Sequence, residues 1–275
     1  NLVQPTWFRV FYGYQLCSTS KRNGAMKIIA GPCVIETGNS VLQLAKDIKK
    51  ISDNLGVEII FKASFDKANR SSVKSYRGLG MQRGIEIFKL IKQEVDIKII
   101  TDVHEYYQVK PISKVVDIIQ IPAFLCRQTD LLSEAALSGR CVAVKKGQFL
   151  SPHDMGNVVE KLRHFDAKEI WLMERGTFFG YNRLVNDMTA IPIMQDFGVP
   201  VIFDATHSVQ KPGGLGEKSG GNREFVGPLA KAATAMGADG LFFEVHRNPD
   251  NALSDGPNML NIRDFQPLLE EILAI

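Results

Sequence analysis

The stretch MKIIAGPCVIE, residues 26–36, is an apolar run that stops at Gly31-Pro32-Cys33. Its apolar side chains fall on successive residues, as in a parallel strand covered on both faces. The Gly-Pro turn that ends it presents a single thiol. Taken alone, Cys33 reads as a small buried hydrophobe, so the rest of the chain has to show whether the thiol has a use.

Seven further runs of this kind follow, at residues 58–64, 98–103, 115–123, 142–147, 169–176, 200–207 and 240–246. Amphipathic stretches separate them. SVLQLAKDIKKISDNL (40–55) sets Val41, Leu44, Ile48 and Ile51 on one helical face, with Ser40 as the expected N-cap. SPHDMGNVVEKLRHF (151–165) offers Ser151 as N-cap, Pro152 in the first turn and Asp154 as the third-position acid. REFVGPLAKAATAMG (223–237) stops at Gly237. Eight strand–helix units with short links and no break in composition predict an α/β fold, a single (β/α)8 TIM barrel over residues 26–275. Residues 1–25 read as an N-terminal extension outside the barrel, either non-native or disordered, or an aromatic arm that packs as a hairpin or contacts another subunit.

Composition narrows the function. Of 275 residues, 45% are hydrophobic, enough for a large core, and 33 basic against 30 acidic residues leave a net charge of +3. Such a balance gives no reason to expect nucleic acid or an anionic membrane as partner. No apolar run approaches the roughly 20 residues a membrane helix needs. Four scattered cysteines (Cys17, Cys33, Cys126, Cys141) form no disulfide framework, which points to a reducing cytoplasm.

In a barrel of this kind the chemistry sits on loops at the C-terminal strand ends. Those ends carry Cys33, Lys62 and Ser64, Asp102 and His104, Gln120, Lys145 and Lys146, Glu174 and Arg175, Asp204 and His207, and Glu244 and His246. The opposite ends carry no comparable set. Cys33, His207, Glu244 and Asp255 together offer one sulfur, one imidazole and two carboxylates, and the first and last strands of a closed barrel are neighbours. That donor mix suits one divalent ion such as zinc, iron(II), manganese or cobalt, and not magnesium or calcium. Lys62, Lys67, Arg70, Lys145 and Arg175, with Arg127 after the fourth strand, form a cationic group whose burial calls for anions, phosphate or carboxylate. Two anionic substrates held together would satisfy it. KPGGLGEKSGG (211–221) reads either as a glycine-rich lid over the mouth or as a merely flexible loop, and it lacks the spacing of a Walker phosphate loop.

At these residues the chain resembles a known family. IAGPCVIE, FKASFDKANRSS, YRGLG, TDVHE, QIPAFLCRQTDLL, VKKGQF, ERGTFFGY, FDATHSVQ, PGGLGEKSGG and ALSDGPN are similar, in number and order, to the motifs of 3-deoxy-D-manno-octulosonate 8-phosphate synthases. The resemblance runs from Met26 to the C-terminus. It implies a transferase that condenses phosphoenolpyruvate with D-arabinose 5-phosphate and water, releasing phosphate, for lipopolysaccharide biosynthesis in the cytoplasm. Carried over by motif, Lys62, Ser64 and Lys67 would hold the phosphoenolpyruvate carboxylate, and Gln120, the Ala123 backbone, Lys145 and Arg175 its phosphate. Asn69, Arg70 and Ser71 would bind the sugar phosphate, with Arg127 reaching it from a neighbouring subunit of a homotetramer. His207, Asp102, His104 and Lys67 are the implied catalytic groups. Cys33, where metal-independent members have Asn, marks the metal-dependent class with His207, Glu244 and Asp255 as the other ligands.

Leu79, Asn186 and Val245 depart from the common pattern without removing a matched functional group. The nearest rival, a 3-deoxy-D-arabino-heptulosonate 7-phosphate synthase, shares the barrel and the ligands but typically carries a KPRTS-like stretch where KANRSS stands here. A non-catalytic phosphosugar-binding barrel is the reading from another class, and the intact ligand set argues against it.

Overall fold

The structure is a computed structural model and describes residues 25–70, 72–178, 180–212 and 220–275. Ser71, all of the expected extension except Ala25, and residues 213–219 of the glycine-rich loop lie outside the described residues.

Eight parallel strands close into a barrel: β1 (Lys27–Gly31), β2 (Ile59–Lys62), β3 (Ile99–Asp102), β4 (Ile118–Ile121), β5 (Cys141–Lys145), β6 (Glu169–Glu174), β7 (Val201–Asp204) and β8 (Gly240–His246). Closure comes from β8 pairing with β1, in a register that runs from Lys27 opposite Gly240 to Gly31 opposite Glu244. Each strand is followed by a helix: α1 (Gly38–Leu55), α2 (Met81–Val95), α3 (Tyr106–Ile112), α4 (Thr129–Leu137), α5 (Met155–His164), α6 (Ala190–Gln195), α7 (Val226–Ala235) and α8 (Ile262–Leu273). The (β/α)8 architecture expected from the sequence is therefore present.

Because side chains alternate across a strand, each strand serves two cores. Ile29, Ile60, Ile100, Ile118, Ala143, Met173, Ile202 and Phe242 fill the barrel interior, with Trp171 and Cys141 at its base. Their neighbours Ile28, Phe61, Ile99, Ile119, Val144, Leu172, Phe203 and Phe243 face the helices and form the larger outer core. Successive apolar residues are needed because both faces are buried.

Several boundaries differ from expectation. Helix α1 is capped by Thr37, whose Oγ1 accepts from Ser40 N at 3.1 Å, so Ser40 lies inside the helix and is not its cap. Ser151 does cap its segment, accepting from His153 N ahead of α5. Strand β4 starts at Ile118 because residues 115–116 bond back to Ile112 in a turn. Strand β7 ends at Asp204, and His207 opens a short 3-10 turn. Among the described residues, no helix is long and apolar enough to cross a membrane.

Candidate active site

Two residues beyond the apolar interior layer, at the next inward position, each strand or its end carries Gly31, Lys62, Asp102, Gln120, Lys145, Arg175, Asp204 or Glu244. The period-2 pattern that packs the barrel therefore also aims seven polar side chains into its mouth. Five of them, Lys62, Asp102, Gln120, Lys145 and Arg175, line a cavity of about 180 Å³, with Asn69, Arg70 and His207 among its other walls.

On one side of the mouth, Lys62 Nζ donates to Ser64 Oγ at 2.6 Å and lies 3.3 Å from Asp102 Oδ1, while Ser64 Oγ also hydrogen-bonds Asp102. His104 Nε2 sits 3.2 Å from the other Asp102 oxygen. Burial disfavours an ionised Asp102, yet Lys62 and Lys67 hold its carboxyl well below the usual range. Across the cavity, Lys145 Nζ donates to Asp204 Oδ2 at 2.5 Å. Burial, together with Lys62 and Arg175, lowers the Lys145 ammonium below its ordinary value despite Asp204. Arg175 donates to His207 O at 3.2 Å and to Gln210 Oε1 at 2.8 Å, while its buried Nε has no partner among the described residues. Arg70 Nη2 is likewise buried and unpaired.

These pairings correct one expectation. Lys62 and Lys145 are not uncompensated, because Asp102 and Asp204 neutralise them internally. The demand for an anion rests instead on Arg175, Arg70 and the half-buried Lys67. Lys67 stays protonated: burial would lower it, but the carboxylates of Asp102, Glu244 and Asp255 raise it. Arg127 does not line this cavity. It is exposed and borders a separate surface cavity of about 490 Å³ with Glu105, Gln128 and Asp130.

The sulfur and carboxylates meet where β1 closes on β8. One donor atom each from Cys33, Glu244 and Asp255 lies within 4.8 Å of the others. His207 Nε2 faces the two carboxylates, 3.3 Å from Glu244 Oε1 and 3.9 Å from Asp255 Oδ2. Among the described residues, neither oxygen of the fully buried Glu244 has a hydrogen-bond partner. A buried carboxylate with both oxygens bare is costly unless a cation satisfies it. The Cys33 thiol is pushed well above its ordinary value by burial and then by Asp255 and Glu244. In this form its S–H donates to Asp255 Oδ2 at 3.0 Å. Three acidic groups and an imidazole, one sulfur among them, fit a borderline divalent ion.

The chain matches the DAHP synthetase I family over residues 19–273. It belongs to that family. The match begins at residue 19, upstream of Met26, so it takes in the end of the stretch expected to be an extension. Among curated relatives, a protein from Fusobacterium nucleatum is 56% identical over 248 residues, covering 90% of this chain and 88% of its own. One from Synechococcus sp. is 54% identical over 250 residues (91% and 88%), and one from Brucella canis 51% over 256 (93% and 92%). All three are named 2-dehydro-3-deoxyphosphooctonate aldolase.

Within this family member, Lys62, Ser64, Gln120, Ala123, Lys145, Arg175, Asp102, His104 and His207 are all brought to the mouth. Ser64 is reached through Lys62 and Asp102. Asn69 and Arg70 border the same cavity, whereas Ser71 lies outside the described residues. Sequence reasoning gave no role to Gln148 and Gln210, which line the cavity, or to Ser254, which touches the Cys33 sulfur. Gln148 lies inside the quoted VKKGQF motif, a signal that could have found it. Val245, one of the departures, packs in the outer core and does not face the mouth.

Proposed function

We propose that this enzyme condenses phosphoenolpyruvate with D-arabinose 5-phosphate and water to give 3-deoxy-D-manno-octulosonate 8-phosphate and phosphate, a step of lipopolysaccharide biosynthesis. The observation that carries the proposal is one cavity where Arg70 Nη2 and Arg175 Nε, buried and without a hydrogen-bond partner among the described residues, stand beside the Cys33–Glu244–Asp255 cluster. The chain's identity to the octonate aldolases over nine-tenths of its length supports the same reading.

In the reaction, carbon 3 of phosphoenolpyruvate attacks the sugar aldehyde and water adds at carbon 2. The tetrahedral centre then expels phosphate by cleavage of its carbon–oxygen bond. Lys145 and Arg175, with Gln120 and the Ala123 backbone, bind the phosphate that leaves. Their fixed positions stabilise its charge as it develops. Lys62, Ser64 and Lys67 hold the carboxylate end, and Lys67, being held protonated, acts through its charge. Asn69, Arg70 and Ser71 bind the sugar phosphate. Asp102 stays ionised and orients Lys62, Ser64 and His104. Of the two histidines, His104 is the better placed for proton transfer, because both nitrogens of His207 are directed at carboxylates.

Cys33, His207, Glu244 and Asp255 hold one divalent ion, zinc, iron(II), manganese or cobalt. When bound it supplies a Lewis acid at the mouth that polarises oxygen. Arg127, facing away from this chain's cavity, serves the sugar phosphate of an adjacent subunit in a homotetramer. The enzyme works in the cytoplasm.

Phosphate release measured with alternative aldehydes tests the assignment. It should require arabinose 5-phosphate, and equal or faster turnover with erythrose 4-phosphate would point to a heptulosonate synthase instead.

A further inference from the structure

We infer that Ser254 is a positioning residue for the sulfur ligand: its hydroxyl donates a hydrogen bond to Cys33 Sγ and sets how firmly that sulfur holds a metal ion. This rests on the metal reading of Cys33, His207, Glu244 and Asp255 and adds a residue outside that set. Ser254 Oγ lies 2.8 Å from Cys33 Sγ, with both residues buried.

The direction of the bond follows from the sulfur's other neighbour. Asp255 Oδ2, at 3.0 Å, belongs to a carboxylate that can only accept, so it takes the thiol proton and leaves the hydroxyl to donate to sulfur. When a metal displaces the thiol proton, the same hydroxyl donates to an anionic sulfur, and the bond becomes charge-assisted.

The loop is built to keep this contact. Asp255 has φ 51°, a left-handed conformation uncommon outside glycine, and it turns two consecutive side chains onto one sulfur. Such a conformation persists where its surroundings over-determine it. Leu253 N donates to Glu36 Oε1 at 2.7 Å, tying the same loop to the segment just after Cys33. A hydrogen bond to a thiolate draws electron density from the sulfur and fixes the direction in which it faces the other donors. Partners of this kind typically change metal affinity about 10- to 100-fold.

Cobalt(II) added to the purified protein separates the two readings. Wild type should show a sulfur-to-cobalt charge-transfer band that Cys33→Ala abolishes; no such band would overturn the metal reading itself. Given the band, Ser254→Ala should shift it to longer wavelength and weaken cobalt and zinc binding about tenfold or more in chelator competition. Ser254→Thr, which keeps the hydroxyl, should restore both. If Ser254→Ala does not fold, Ser254→Gly is read by the same two measurements. An unmoved band and affinity within twofold of wild type in the variant lacking the hydroxyl would overturn the inference.

Discussion

His207 is held between two carboxylates: its Nδ1 lies 2.8 Å from Asp204 Oδ2, and its Nε2 lies 3.3 Å from Glu244 Oε1. Burial alone would raise the Asp204 carboxyl, but His207 and Lys145 hold it well below the usual range, so it accepts. An accepting Asp204 places the ring proton on Nδ1 and turns the Nε2 lone pair toward Glu244 and Asp255. Asp204→Asn should weaken zinc binding about 10- to 100-fold, since its amide also donates and no longer fixes the tautomer. Chelator competition measures this, and unchanged affinity would show that Asp204 serves only Lys145.

The raised Cys33 thiol gives metal binding a definite pH dependence. A group held above its ordinary value keeps its proton through neutrality, and a metal must displace it. Zinc affinity should therefore rise about tenfold per pH unit between about pH 7 and pH 8.5. Calorimetry in buffers of different ionisation enthalpy should find one proton released per ion. No release would mean that the sulfur is already a thiolate.

Replacement of the thiol separates ligation from catalysis. Cys33→Ala should lose both metal and most turnover. Cys33→Asn should bind metal poorly yet keep some chelator-resistant activity, because its amide can orient the reacting groups by hydrogen bonding. Full wild-type activity in protein shown to be metal-free would return Cys33 to the role of a buried hydrophobe.

Arg70 should act on one substrate only. Its Nε donates to Tyr76 O at 3.1 Å, which fixes the side chain and leaves Nη2 for a ligand. Arg70→Ala removes a charge-assisted contact of about 1.5–3 kcal/mol, so KM for arabinose 5-phosphate should rise about 10- to 150-fold. The KM for phosphoenolpyruvate should change little; an equal rise in both would contradict the assignment.

Gly31 sits where two strands approach too closely for a side chain. A Cβ there would lie 1.9 Å from Lys62 O, a backbone atom of the neighbouring strand. Gly31→Ala should cost about 3 kcal/mol, the upper part of the overpacking range. That corresponds to a Tm lower by about 6–12 °C for a chain of this size. Gly38→Ala, whose nearest neighbour would be a side-chain atom at 3.7 Å, is the control and should melt near wild type.

The barrel was legible because each strand buries both faces, so runs such as KIIAG and GLFFEVH show as unbroken apolar stretches. The clustering at strand ends was legible for a related reason, since polar residues stand out after such runs. What pairs with what was not. The Lys62–Asp102 and Lys145–Asp204 pairs join residues on different strands, the first brought together by β2–β3 pairing and the second by the curvature of the barrel. Thr37 was overlooked as a cap because Ser40, an equally good capping residue, lies one turn further on. The two-residue pairings Thr177–Phe178 with Leu184–Val185, and Gln210–Lys211 with Gly220–Gly221, are too short to carry a period.

The pairing of β1 with β8 has a consequence for the order of events in making this protein. Cys33 and Asp255 are 222 positions apart, one near each end of the described chain, and they meet only when the last strand docks on the first. An emerging chain on the ribosome therefore presents single, scattered donors and no pocket. On the proposed metal reading, ion uptake follows translation of β8 and of the loop that carries Asp255. On that reading a molecule that carries an ion has already closed β8 on β1, and chains that stop short of Asp255 lack the full donor set.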